Sequence, residues 1–155
     1  MNLLSSKRLK KAKDKDVVFE ILDIKKDKKT GFFQKMTEIY TFALAIGIKS
    51  KKMEPLIGGN SDPIAIDLFT EEQQKYFDTV VLFYEAGDIT KLNKENEENI
   101  NNYVKVIEEY TNGGLSIIKE KILVHPEDAF NIITRLLNEE LKEVIPEDAK
   151  GDFEW

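Results

Sequence analysis

The chain has 155 residues, 41% of them apolar and including nine Phe, five Tyr and one Trp, which suits a single domain with a sizeable core. It contains no Cys, so disulfides, thiolate metal sites and cysteine nucleophiles are excluded, and a reducing compartment, the cytoplasm, is the expected location. The net charge of −6 hides an asymmetry: Met1 to Lys52 carries fourteen Lys/Arg against six Asp/Glu, and Met53 to Trp155 nine against twenty-three. Such a chain can steer a polyanion to one face, or its two ends can attract each other within a monomer or across an oligomer interface.

Residues Met1 to Lys13 read as a basic arm, mobile in isolation, in which Leu3-Leu4 is too short for the apolar core of a signal peptide. No apolar run approaches the length of a membrane span; the most apolar, Ile39 to Ile48, is broken by Tyr40 and Thr41. Asp14 or Asp16 is placed to cap a first helix with an apolar stripe of Val17, Val18, Ile21, Leu22 and Ile24. Thr30-Gly31 marks a turn after the charged stretch Lys25 to Lys29. The second helix, Met36 to Ile46, is apolar nearly all round and so belongs in the core, with Gly47 as its expected stop.

Ile48 to Phe69 lacks a helical period and contains Pro55, Gly58, Gly59 and Pro63, which predicts a long ordered connection with one short extended piece at Ile64, Ile66 and Leu68. Thr70 and Gln73 form a capping-box pattern opening a helix with core face Tyr76, Phe77, Val80, Val81, Phe83 and Tyr84, and Gly87 ends it. From Ile100 the apolar phase runs through Tyr103, Val104, Ile107, Leu115, Ile118 and Ile122 without a slip at Asn112-Gly113-Gly114. That continuity predicts one long helix with a weak or kinked middle against which another helix packs closely, a glycine stop being the alternative. His125-Pro126 opens a last helix with the stripe Ala129, Phe130, Ile133, Leu136, Leu137 and Leu141, and Pro146 stops it. The expected fold is mostly α: a compact domain of about five helices over residues 14–146, preceded by the arm 1–13 and followed by an acidic, aromatic tail over 147–155.

No catalytic constellation stands out, and no cofactor is expected. His125, the sole histidine, precedes a proline at a helix start, and the acidic pairs Glu97-Glu98, Glu108-Glu109 and Glu139-Glu140 lack the Glu-x-x-His spacing of a di-iron bundle. Ile57-Gly58-Gly59-Asn60-Ser61 has neither the lysine of a phosphate-binding loop nor dinucleotide spacing. Two basic groups remain as candidate nucleic-acid contacts: Lys7, Arg8, Lys10, Lys11 and Lys13, and Lys49, Lys51 and Lys52. A single Arg among them favours non-specific phosphate neutralisation over reading of base edges. A handle for a partner protein, or solubility alone, explains the same residues.

Several segments together resemble a known family. Lys13-Asp14-Lys15-Asp16, Thr30-Gly31-Phe32-Phe33, the run from Tyr40 to Gly47, Glu54-Pro55-Leu56, Pro63-Ile64 with Asp67-Leu68-Phe69, and the run from Glu109 to Leu115 are similar to the small proteins associated with bacterial Dnd DNA-phosphorothioation systems, over residues 13–137. Ala65 and Ile66 depart from the Arg and Trp that the resemblance implies there. It implies a setting in antiphage defence beside a modification or restriction assembly, with the other subunits as partners, and no active-site residues. The sequence therefore favours a non-enzymatic adaptor or regulator that contacts DNA through its basic half. The alternatives are a stand-alone DNA-binding regulator presenting its first two helices to a duplex and, third, an enzyme built from distant carboxylates.

Overall fold

The computed structural model describes residues 2–57 and 59–144, with side chains to residue 139. Among them are five α-helices and a two-stranded antiparallel sheet, in the order β1 (Arg8–Ala12), α1 (Asp16–Leu22), α2 (Met36–Lys49), β2 (Asn60–Ala65), α3 (Glu71–Tyr84), α4 (Glu97–Ile122) and α5 (Ala129–Val144). The domain is mostly α, as the periodicities predict.

The long helix is real. α4 runs unbroken through Asn112-Gly113-Gly114, with the Asn96 side chain accepting from the Asn99 amide, Glu97 and Glu98 in its first turn and Lys119 and Lys121 in its last, each charge matched to the helix dipole. α2 lies along it in the most extensive helix pair among the described residues. The two glycines are the reason: at Gly113 and Gly114 the neighbouring backbone occupies the space a Cβ needs. Gly47 does the same from the other side. It does not stop α2 but sits inside it, packed on Tyr110, and the helix ends at Ser50 and the left-handed Lys51, whose φ is 52°. An apolar sequence around Gly47 favours continued burial over termination.

The N-terminal segment differs most from its expectation. Residues 8–12 are not an arm but a strand, paired with β2 in the register Arg8 to Ala65, Leu9 to Ile64, Lys11 to Ser61 and Ala12 to Asn60. Lys10 stands opposite the Asp62-Pro63 bulge, where proline has no N–H to contribute. Its own amide donates to the Glu108 carboxylate on α4 instead. Leu4 and Leu9 are in the core, and a 3-10 turn at Leu3–Ser6 is tied by the Leu3 amide to the Lys94 carbonyl at 2.8 Å. The extended piece of the long connection is thus Asn60–Ala65; Ile66–Leu68 forms a 3-10 turn that buries Ile66 and leaves Leu68 exposed.

α1 buries Val18, Phe19 and Leu22 and leaves Ile24 exposed past its end. It has no side-chain cap, since Asp14 turns to Lys15. α3 has the Thr70–Gln73 capping box and buries Phe77, Val80 and Val81, while Phe83 and Tyr84, predicted to face the core, are exposed; Tyr84 meets only the edge of α4, its ring 6.3 Å from that of Tyr110. Left-handed Ala86 and Gly87 follow it. A 3-10 turn at Pro126–Asp128 leads into α5, where Ala129, Ile133 and Leu136 are buried and Phe130, although exposed, lies 5.2 Å from Phe32, centroid to centroid. Leu141's side chain, Pro146 and the tail 147–155 lie outside the described residues.

Candidate nucleic-acid interface

Strand geometry sorts the first basic group. On β1, Arg8 and Lys10 point outward and Leu9 and Lys11 inward. Lys11 is 6% exposed, its Nζ 4.6 Å from the centre of the Phe19 ring, so its amine is withdrawn from any duplex on the outer face. Burial pushes its pKa down, against the opposing pull of Asp16. Lys13 is exposed just beyond the strand, its amide donating to the Gly59 carbonyl at 3.2 Å, and Lys7 is half-buried.

The second group sits on the turn after α2. Lys51 and Lys52 are exposed and Lys49 is half-buried. The Lys52 backbone lies directly on Gly113 of α4, its amide donating to the Gly47 carbonyl at 2.9 Å, so the turn is fixed by the helix pair beneath it.

Glu54 joins the two groups. Its carboxylate stands 3.5 Å from Nζ of Lys15, two residues beyond Lys13, and accepts from the Ser116 hydroxyl. The buried Lys15 also pairs with Asp14 at 2.9 Å, which holds the Asp14 carboxyl below its usual range, and Lys119 donates to the Asp14 carbonyl at 2.8 Å. Asn112 donates from its side chain to the Glu54 and Pro55 carbonyls, both at 3.2 Å. Two basic stretches distant in sequence are thereby locked to one α4 face, but the surface is not purely cationic. Lys10 shares a small cleft with Glu108 and Glu109, and the Glu108 pKa is raised by burial.

Sequence reasoning passed over a third set of lysines. The α1–α2 connection folds back on itself through an isolated bridge from Asp23 to Phe33, with Gly31 packed against the Ile24 backbone. This brings Lys25, Lys26 and Lys35 to the wall of a groove of about 750 Å³ that also contains Lys11. The available signal was the density of lysines on both sides of Thr30-Gly31.

The sole histidine and the Glu97-Glu98 pair both sit at the starts of helical segments. His125 and Glu127 are both exposed, 3.2 Å apart at the start of the last helical segment. The acids Glu97 and Glu98 are exposed at the first turn of α4. Among the described residues no group of three or more His, Asp or Glu is arranged to hold a metal, and no helix is long and apolar enough to cross a membrane. α2 buries Thr37, Ile39, Tyr40, Phe42, Ala43, Leu44, Ile46 and Gly47, which leaves it few side chains with which to enter a DNA groove.

No curated protein and no solved structure matches the chain. A family model does, over residues 8–154, so the match takes in the basic strand as well as the stretch 13–137 on which the resemblance rested. With nearly its whole length matched, the chain belongs to the family described as DNA sulphur modification system-associated protein 4.

Proposed function

We propose that this protein is a non-enzymatic accessory subunit, an adaptor or regulator, of a bacterial DNA modification and antiphage system, and that it touches DNA non-specifically through Arg8, Lys10, Lys13, Lys51 and Lys52. Family membership carries the first half of this reading, because association with a DNA sulphur modification system implies other subunits as partners. The second half is supported by the exposure of those five cations on a rigid support of β1 and the α2–α4 pair. Lysines spread over such a surface neutralise phosphates without reading bases.

The test is fluorescence anisotropy of a labelled duplex across a salt series. Deleting the N-terminal residues removes a strand from the sheet, so charge reversal is the better perturbation: Arg8→Glu with Lys13→Glu, and Lys51→Glu with Lys52→Glu. Affinity that falls steeply with salt, and a shallower slope in both double variants, supports DNA contact. Absence of binding at low salt sinks that half and leaves co-purification with the other subunits as the test of the adaptor role.

A further inference from the structure

The groove between α1, β2 and the start of α2 collects polar donors that the protein itself does not satisfy. Lys11 is the first. It is 6% exposed, lines the groove, and has no hydrogen-bond or ion-pair partner among the described residues, its one direct contact being the Phe19 ring. Asp16 and Asp62 act on it through space, yet neither forms an ion pair with it. Its stem is buried, and its amine opens on the groove with no acceptor among the described residues to neutralise it.

Ser61 is the second, its hydroxyl oxygen buried and without a partner on the same wall, directly across the ladder from Lys11. The third is the start of α2. Lys35 caps it without a side-chain hydrogen bond, the Glu38 and Ile39 amides both turn to the Lys35 carbonyl, and the amides of Met36 and Thr37 find no acceptor among the described residues. Met36 and Thr37 both line the groove, so the positive end of a fourteen-residue helix opens into it.

We propose that this groove is a binding site for the phosphate group of a small ligand, held by the Lys11 amine, the Ser61 hydroxyl and the free amides of Met36 and Thr37. A tetrahedral oxyanion presents oxygens to donors on separate walls, which a planar carboxylate with two oxygens does less well. Lys25, Lys26 and Lys35 on the same wall offer further cationic donors. Asp16, Glu20, Asp23 and Asp62 share the same lining, and their charge favours a small ligand over a duplex carrying phosphates along its length. The site is separate from the proposed DNA surface on the outer face of β1 and stands or falls without it.

Titration of the ¹⁵N-labelled full chain with inorganic phosphate, at ionic strength matched with chloride, tests this directly. The expected result is a saturable shift of the amide resonances of Lys11, Met36, Thr37 and Ser61 that chloride does not reproduce. Lys11→Met, which keeps the apolar stem, lowers the affinity at least about tenfold, and Ser61→Ala about threefold. If Lys11→Met does not fold, Ser61→Ala carries the comparison alone. A nucleoside monophosphate moves the same resonances, and a short DNA duplex leaves them in place. The proposal is overturned by absence of saturation up to about 10 mM phosphate, by equal shifts with chloride, or by unchanged affinity in the folded variants. Movement of these resonances by the duplex alone overturns the small-ligand source.

Discussion

Gly47 of α2 and Gly114 of α4 meet backbone to backbone: a Cβ on Gly114 would lie 1.7 Å from the Ala43 carbonyl oxygen and 2.9 Å from the Gly47 nitrogen, and a Cβ on Gly47 would lie 1.9 Å from the Tyr110 carbonyl oxygen. Neither helix can yield without moving the other, since the obstructing atoms are main chain in both. Gly114→Ala is therefore expected to destabilise the fold by about 3 kcal/mol or more, a drop of roughly 10 °C in Tm for a domain of this size. Gly113→Ala, which collides with the Lys52 turn rather than with a helix, should cost about half as much. Thermal unfolding followed by circular dichroism measures both. A Gly114→Ala protein as stable as the parent would show that the helices do not approach this closely.

Asn112 anchors the segment after α2 through two carbonyls, and its own side chain is 3% exposed, with an amide oxygen that has no partner among the described residues. Asn112→Asp places acceptors where donors stand and buries a charge, so it is expected to cost more than Asn112→Ala, for which about 1–3 kcal/mol follows from stranding the Glu54 and Pro55 carbonyls. Urea denaturation ranks the two. Faster hydrogen exchange at Glu54, whose amide donates to the Glu109 carbonyl at 3.0 Å, is the local signature.

Glu108 supplies a pH dependence of definite sign. Burial raises its folded pKa above the ordinary 4.5, the Lys10 amide opposing the shift. A carboxyl whose folded pKa is raised holds its proton more tightly when folded, so its contribution to stability is fully present below the unfolded pKa. That contribution is lost as pH climbs through the folded value. Glu108→Gln keeps an oxygen to accept from Lys10 and never ionises. It should be more stable than the parent at about pH 7, with the difference closing below about pH 4. Paired urea midpoints at the two pH values check this; a Gln variant weaker at neutral pH refutes the burial argument.

The lysines should separate into two classes. Lys13→Glu and Lys52→Glu, both at exposed positions, are expected to flatten the salt dependence of DNA binding, the slope falling by roughly one for each phosphate that is no longer neutralised. Lys11→Met should leave that slope unchanged, because its amine lies over the Phe19 ring on the opposite side of the strand. Equal effects from Lys11 and Lys13 would mean that the strand does not have this orientation in solution.

Much of the helical architecture was written locally. The Thr70–Gln73 capping box, the acids and lysines at the ends of α4, and an apolar phase continuing through Asn112-Gly113-Gly114 are all decided within a few turns of chain, where periodicity is an adequate guide. Element ends fared less well. Gly47 has the composition of a stop and the surroundings of a contact, and Phe83, Tyr84 and Phe130 fit apolar stripes yet lie exposed, since periodicity does not show how much of a stripe a neighbour covers.

The sequence by itself determined a mostly α domain, the pairing of a glycine-bearing long helix with a close neighbour, and an excess of positive charge in the first third of the chain. Only the tertiary structure decided what that charge can do. Arg8 to Ala12 reads as a solvated basic arm because its apolar residues are few, and it becomes a strand because Asn60–Ala65, some fifty residues away, offers it a ladder. The same pairing turns Lys11 inward while its neighbours stay in water, and the folded-back α1–α2 connection brings Lys25, Lys26 and Lys35 to it. Local propensity is blind to such partners: strand pairing and the closing of a groove depend on residues far apart in sequence, and their energy appears only when the chain has brought them together.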